Sequence, residues 1–478
     1  SPTNTGMAYT AHKKGSKMAQ EHYDPPDVLE CKVNRLAALI TESNHFVAFT
    51  GAGISTSAGI GDFRGPLGKW TREAQGLAPV PSRTRAICAI PTPTHMALVA
   101  LERHSLLKHL ISQNCDGLHR RSRFAAANLS ELHGNCNIEA CETCGARFLR
   151  DKSCRRVQRG RDHATGRTCP RRADDGADGA CCGGRLLNTT IDFGQDLPTK
   201  PFRDAHAHAK QADLHLVLGS SLTVSPACDQ PAITAKRGGA LVIVNLQPTP
   251  LSEARGALHI FAKTDVVMTM VMERLGIEIP AFRLTRRVAI GCAPHANPAM
   301  RTLFVEGIDC DDAALPTDVI AGANWSVNPR SGFVAVVDPA NGRPACRALG
   351  NGRWELDVVA AAVPIGARSA RLLAGPTPHT PELRVALDFC GHYAEPTLLL
   401  EPPVRISTTA SKLASSEVFL ELALGGDEET ASSAPRWRTR RLAPVEEAAA
   451  REQRARPWVV DSEYGEQHAE YVGAGRAC

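Results

Sequence analysis

The feature that most constrains this chain is a junction. Four apolar residues, Phe46-Val47-Ala48-Phe49, run directly into Thr50-Gly51-Ala52-Gly53 and on to Ile54-Ser55-Thr56. β-Branched and aromatic side chains without polar alternation read as a strand buried on both faces. Such a strand belongs inside a parallel sheet, where ligands sit at the carboxyl ends. The two glycines permit a tight turn and let backbone N–H groups come close to a ligand. Residues 54–58 read as the opening of a helix, whose first N–H groups would receive a phosphate. Asp62-Phe63-Arg64 follows, flanked by Gly59, Gly61, Gly65 and Gly68. An acid, an aromatic and a cation on a glycine-rich loop read as functional side chains. The dinucleotide fingerprint G-x-G-x-x-G is not met, because Thr56 stands where its third glycine belongs.

Cysteine spacing is the second constraint. Sixteen cysteines occur in 478 residues, with a local cluster at 141, 144, 154, 169, 181 and 182. The N-terminus lacks a signal-peptide apolar core and no apolar run is long enough to span a bilayer, so the expectation is a soluble intracellular protein with no membrane partner. In that setting clustered cysteines read as a metal site and not as disulfides. Cys141-Glu142-Thr143-Cys144 is a C-x-x-C knuckle, and Cys169 with Cys181-Cys182 supplies a second pair. Four thiolates so spaced suit a tetrahedral structural Zn²⁺. The basic, glycine-containing loop 155–179 between them is too polar for a core of its own, so metal would supply folding energy. The formal net charge of +5 permits contact with nucleic acid without requiring it.

Along the chain, 1–24 reads as a polar disordered leader. Asp27 and Glu30 form a capping-box-like start to a helix carrying Leu29, Val33, Leu36 and Ile40 at helical spacing. Gln113, Asn114 and Asp116 make a polar cluster at the end of a second apolar strand; the plainer reading of Asn114 and Asp116 is a turn cap. His133 lies between Leu132 and Gly134, just before the cysteine-rich insert. A lone histidine is more often a structural hydrogen-bonder, yet its pKa suits proton abstraction near neutrality. Apolar strands at 213–218 and 241–244 end in Gly219-Ser220-Ser221 and Asn245-Leu246-Gln247, and a helix at 265–275 closes the domain.

The expected fold class is therefore α/β. It comprises a doubly wound parallel, Rossmann-like sheet (25–133 and 193–285), a small zinc-binding module (134–192) and a β-rich extension (286–400). In the extension, 333–337 and Trp354-Leu356-Val358 read as strands joined through an Asn351-Gly352 turn, and Leu383, Val385, Leu387 and Phe389 alternate with other residues. The segment 401–478 is rich in Ser, Ala, Glu and Arg and reads as a disordered tail with a basic knot at Arg436, Arg438, Arg440 and Arg441.

Taken in order, GAGIS at 51–55, DFRG at 62–65, QNCDGLH at 113–119, LHGN at 132–135, the two cysteine pairs, GSSL at 219–222 and IVNLQPT at 243–249 resemble the sirtuins, NAD-dependent protein deacylases. The resemblance spans roughly 24–285. DPPDVLE at 24–30, GPLGKWT at 65–71 and NLQPT are most similar to the nuclear, chromatin-associated class IV branch. It implies His133 as catalytic base and Asn114 and Asp116 in the nicotinamide pocket. It implies NAD contacts at Ala52, Thr56, Phe63, Arg64, Trp70, Gln113, Gly219, Ser221, Asn245 and Gln247, with a backbone contact at Thr264. Cys141, Cys144, Cys169 and Cys182 match the zinc ligands, with Cys181 an alternative fourth. The implied reaction removes an acyl group from lysine, releases nicotinamide and forms O-acyl-ADP-ribose.

Acylated lysine proteins such as histones would be partners, and nucleosomes or DNA would meet the basic segments 155–172 and 436–441. The implied location is the nucleus. The substrate peptide would add as a strand along Phe193-Gly194 and 222–226. Mono-ADP-ribosyl transfer and an NAD-sensing chromatin scaffold are the alternatives. Three departures stand out: Gly61 replaces a proline, Cys115, open to oxidation, replaces an aliphatic residue, and the insert between the cysteine pairs is irregular.

Overall fold

The computed structural model describes residues 20–150, 152–154, 162–169, 182–295 and 297, and from 300 onward the elements named below with 344–349 and 442–443. Six strands build the first sheet: β1 (Phe46–Thr50), β2 (Leu107–Ser112), β3 (Leu129–Glu131), β8 (Leu214–Leu218), β9 (Ala240–Val244) and β10 (Leu258–Ile260). All pair in parallel, in the order β10-β9-β8-β1-β2-β3. Every residue of β1 and β8 is buried. Phe46 and Ala48 join one core, and Val47 and Phe49 join the other. Burial on both faces is why these strands lack polar alternation.

Helices α1 (Pro26–Glu42), α3 (Pro93–Arg103) and α7 (Thr264–Leu275) contribute Val33, Leu98 and Val271 to the first core. Ala205 of α5 (Thr199–Gln211) packs in the second, with α6 (Gln230–Lys236) beside it. The Asp27 capping box does not form. Pro25 is the N-cap of α1 with no side-chain hydrogen bond, and Pro26 opens the helix, since its missing N–H would lack a partner there anyway. Asp24 instead accepts from the Phe261 backbone N–H (2.9 Å) and from Lys32 (2.7 Å). Residues 1–19 of the expected leader lie outside the described residues.

Between β3 and β8 lies a four-stranded antiparallel module of β4 (Ile138–Cys141), β5 (Arg147–Leu149), β6 (Ala164–Thr168) and β7 (Arg185–Asn188). Its apolar core is small: Ala146, Phe148 and Leu186 around the cysteines. Glu139, fully buried, is neutralised by Arg150 (2.7 Å) and Arg167.

The remaining strands are β11 (Thr285–Pro294), β12 (Met300–Ile308), β13 (Pro316–Thr317), β14 (Ile320–Val327), β15 (Phe333–Ala335), β16 (Arg347–Ala348), β17 (Arg353–Ala360), β18 (Leu383–Phe389), β19 (Leu398–Leu400), β20 (Ser416–Gly425) and β21 (Arg436–Arg441). Here β21-β20-β11-β12 pair antiparallel, β17 adds to β12, and the three-stranded sheet β14-β18-β19 shares one core with them through Val288, Leu303, Trp325, Val385 and Leu422. Helix α8 (Pro444–Ala455) covers the other face, with Ala450 and Leu442 against Phe304. β17 pairs with β16, Ala348 facing Trp354, while 333–335 pairs further along; Asn351-Gly352, expected as the turn, lie outside the described residues.

The stretch beyond 401, expected as a disordered tail, contains β20, β21 and α8. Leu420 and Leu422 enter the sandwich core while Glu421 faces away and binds Arg287, Arg440 and Arg123. Average composition hid this alternation, and the arginines that read as a free basic knot are partly neutralised: Arg440 also pairs with Glu446, and Arg441 with Glu447. The extension touches both other parts, through Arg123 and through one parallel pairing of Thr317 with Leu149 of β5. Among the described residues no helix is long and apolar enough to cross a membrane.

Candidate active site

A cavity of about 620 Å³ opens where β1, β2, β8 and β9 end, the position at which parallel sheets bind ligands. The ends of β1 and β8 interlock. The Gly53 N–H donates to the Gly219 carbonyl (2.9 Å), and a Cβ on Gly53 would lie 2.7 Å from the Gly219 Cα. Gly219 has φ +61°, and its own Cβ would meet the Ile54 nitrogen at 2.7 Å. Only glycine permits this approach, which leaves a floor of backbone with no side chain above it. The turn after it is a short 3-10 segment, Ala52–Ser55, and not the longer helix expected over 54–58.

The strand end of β2 is fixed from three sides. Asn114 donates from Nδ2 to the Gly51 carbonyl (3.0 Å). Asp116 accepts from the Ser55 hydroxyl (2.7 Å) and from the Leu118 N–H (2.9 Å), the first residue of α4 (Leu118–Arg121). The turn-cap reading of Asp116 is thus half correct, and its other oxygen holds the GAGIS loop. Gln113 accepts from Ser220 at Oε1 (3.0 Å), while its buried Nε2 has no acceptor among the described residues. Ser55 and Ser220 went unread as site residues, although both stand inside the motifs at 51–55 and 219–222.

His133 lines the same cavity. Its Nδ1 lies 3.0 Å from the Gln113 carbonyl, which can only accept, so Nδ1 carries the proton and Nε2 is the basic nitrogen. Burial lowers its pKa from the ordinary histidine value, opposed by that hydrogen bond, so the ring is neutral at pH 7. Gly134 holds the loop, since at φ +69° its Cβ would sit 1.7 Å from the Thr189 carbonyl oxygen.

Over the cleft, Trp70 of α2 (Lys69–Ala74) lies 4.6 Å from Phe63 and 5.5 Å from Phe193, ring to ring, and the Arg64 guanidinium sits 4.4 Å from the Trp70 ring. Gln247 donates to the Arg64 carbonyl (3.1 Å), and Asn245 to the Gln247 carbonyl (2.8 Å), tying the β9 end to this loop. Burial raises the Asp62 carboxyl above its usual range, a Gly65 N–H pulls it down, and the Glu21 charge raises it further. Of the residues expected at a cofactor, Ala52, Phe63, Arg64, Trp70, Gln113, His133, Gly219, Ser221, Asn245 and Gln247 line the cavity, as do Asn114 and Asp116. Thr56 and Thr264 do not: Thr56 is exposed and bonds the Gly53 carbonyl (3.0 Å), and Thr264 is buried at the start of α7. The adjacent Asp265 instead braces the loop, accepting from Ser57 (2.6 Å) and Thr94 (2.5 Å). Phe193, exposed, and Val224 line the cavity rim on the side expected for peptide, and Gly194 has φ +84°.

In the inserted module, the sulfurs of Cys141, Cys144, Cys169 and Cys182 all lie within 4.8 Å of one another, with 141–182 and 144–169 each 3.7 Å apart. Four sulfurs about 2.3 Å from one ion at tetrahedral angles stand about 3.8 Å apart, so the set fits zinc. Cys181 lies outside the described residues. A Cβ at Gly184 would come within 2.8 Å of the Cys141 sulfur, so glycine there keeps the knuckle compact.

A parallel α/β domain, a four-sulfur module spliced into it and a polar cleft at the strand ends define the class. The Sir2 family model matches residues 80–226. The NAD-dependent protein deacetylase Sirt6 of Drosophila melanogaster is 40% identical over 269 residues, 56% of this chain and 83% of that protein. An NAD-dependent protein deacetylase of Caldivirga maquilingensis is 35% identical over 255 residues, 50% of this chain and 93% of that one. The NAD-dependent protein deacetylase SRT1 of Arabidopsis thaliana is 44% identical over 262 residues, 55% of this chain; the chain spans about half, 53%, of that relative's length. The chain belongs to the Sir2 family.

Proposed function

We propose that this chain is an NAD-dependent protein-lysine deacylase with one structural zinc. The observation that carries the reading is His133, neutral, with Nδ1 engaged by the Gln113 carbonyl and Nε2 left basic on the lining of a cavity floored by bare backbone. NAD, when bound, supplies an electrophilic ribose carbon and a hydroxyl that becomes the acyl acceptor.

The chain's own groups do the rest. The side-chain-free floor lets the diphosphate come close to the backbone between β1 and β8, the Gly51, Gly53 and Gly219 N–H groups themselves being held by the Leu218, Gly219 and Val244 carbonyls, and the orphaned Gln113 amide donates to a ribose hydroxyl. Asn114 and Asp116, held by Gly51 and Ser55, orient the nicotinamide carboxamide. Phe63, Trp70 and Phe193 exclude water, and Arg64, stacked on Trp70, stays beside the phosphates. His133 removes the ribose hydroxyl proton at Nε2. Asn245, Gln247 and Ser221 complete the cofactor wall. Cys141, Cys144, Cys169 and Cys182 would hold the zinc, and since none of them lines the cavity it would serve as a fold element.

Catalytic domain bounds of 25–285, with the zinc module at 134–192, belong to this proposal. So do a nuclear location and histones or other chromatin proteins as substrates, which rest on the motifs at 24–30, 65–71 and 245–249. The test is a mass-spectrometric assay with acetylated and long-chain-acylated histone peptides plus NAD. Nicotinamide, deacylated peptide and O-acyl-ADP-ribose appear with the native chain, and His133→Ala abolishes all three while keeping fold and zinc. ADP-ribose on the peptide without deacylation would replace the reading by mono-ADP-ribosyl transfer.

A further inference from the structure

We infer that Cys115 and Cys136 form a modification site, a reversible disulfide made on exposure to hydrogen peroxide that ties the β2 strand end to the His133 loop. Each of the two loops nearest the chemistry carries one of these cysteines: Cys115 between Asn114 and Asp116, Cys136 three residues beyond His133. Both line the cavity, both are partly exposed, and both are thiols.

The backbone brings them together. The Cys136 N–H donates to the Cys115 carbonyl at 2.9 Å. One such bond holds two Cα atoms about 5 to 6.5 Å apart, within the span from which a disulfide closes. Neither loop drifts: Asn114 is tied to Gly51, Asp116 to Ser55, and Gly134 is pressed against Thr189. The pair is distinct from the four zinc-site sulfurs, none of which is Cys115 or Cys136.

The two thiols differ in kind. Burial, then the charges of Cys115, Asp116 and Cys154, push the Cys136 thiol well above its ordinary range. Cys136 therefore meets peroxide poorly and acts as the resolving thiol, and Cys115 is oxidised first. In the first step the Cys115 sulfur attacks one peroxide oxygen, the O–O bond breaks, and Cys115–SOH and one water result. In the second, the Cys136 sulfur displaces the hydroxyl of Cys115–SOH, its proton leaves with that hydroxyl as a second water, and the S–S bond forms. Two thiols are oxidised and one peroxide is reduced to two waters. Closing the bond to about 2.05 Å draws both side chains together at the cavity wall and shifts the loop that carries His133. Cys154 is the competitor, its N–H donating to the Cys136 carbonyl at 2.6 Å, but its side chain is fully buried away from the oxidant.

The test uses the full zinc-loaded chain, titrated with hydrogen peroxide, blocked with iodoacetamide, digested without reductant and mapped by mass spectrometry, with zinc measured in parallel. A Cys115–Cys136 peptide, two hydrogens lighter than its thiol forms, is expected while zinc remains bound. Dithiothreitol removes it, and Cys115→Val and Cys136→Ser each abolish it. Sulfinic acid on Cys115 without the link, a Cys136–Cys154 link, or oxidation confined to the zinc cysteines would each overturn the inference. This readout is independent of activity, so it survives failure of the deacylase reading. If that reading holds, NAD-dependent deacylation falls about a hundredfold on cross-linking, the scale of an ångström-sized misplacement, and returns with reductant.

Discussion

His215 offers a clean measure of what burying a titratable ring in the parallel sheet costs in acid. It is the second residue of β8, fully buried, with Nδ1 2.9 Å from the Thr234 hydroxyl and no partner for Nε2 among the described residues. Burial alone pushes its pKa down to about 3. The unfolded chain protonates this ring through pH 6.5 and the folded chain refuses the proton, so the unfolded state binds more protons and stability falls as pH falls. From pH 7 to pH 5 the difference for one such histidine is about 1.9 kcal/mol. That figure depends only on the folded value lying well below 5.

His95 and His119, each also near 3, lose stability in the same window, while Asp62 and Glu131, raised by burial, oppose the loss. Comparison of the native chain with His215→Leu cancels these contributions. The assay is amide hydrogen exchange of β8 at pH 5 and pH 7, corrected for intrinsic rates. The opening free energy should fall by about 1.9 kcal/mol less in the variant over that interval. An identical pH dependence in the two proteins would refute the claim that the folded sheet excludes the proton.

Joint replacement Cys141→Ser and Cys144→Ser should yield a metal-free chain whose 134–192 segment loses protection, checked by zinc analysis and exchange; retained stoichiometric zinc would rule out this ligand set. Gly53→Ala forces a methyl against the Gly219 backbone at 2.7 Å, so stability should drop by about 1–3 kcal/mol and NAD affinity should fall with it, read by calorimetry. Nucleosome affinity measured across a salt series should change little on neutralising Arg440 and Arg441, because Glu421, Glu446 and Glu447 already pair with them; a shallower salt slope would show that they reach phosphate.

The parts of the site readable from sequence are those set by local chemistry. Continuous apolar runs identified β1 and β9, and largely apolar runs interrupted by Lys108-His109 and by His215 identified β2 and β8, because burial on both faces leaves little room for polar alternation. Strands β3 and β10, three residues each, are too short to display a period and exist through their parallel partners. The cysteine spacing located the four-sulfur site, while the nearness of the sulfurs needed the β4–β7 pairing. Thr56 and Thr264 carried a family expectation, for Thr264 of a backbone contact only, and neither lines the cavity. Strand β20 was hidden because its apolar alternation is diluted by the serine- and glutamate-rich stretches around it. The juxtaposition of Cys115 with Cys136 depends on a single backbone hydrogen bond between two loops, which no periodicity announces.

The interlocked glycines of β1 and β8 also set an order of events during folding. Gly53 and Gly219 follow two strands, β1 and β8, that are separated in sequence by β2, β3 and the whole cysteine module. Their parallel pairing closes a long loop, the kind of contact that forms slowly and late. The floor of the cleft therefore does not exist in a partly folded chain, however complete its first strand. Ligand binding then stabilises only the finished sheet. A nascent or damaged molecule that holds the dinucleotide has, by that fact, already joined its two halves.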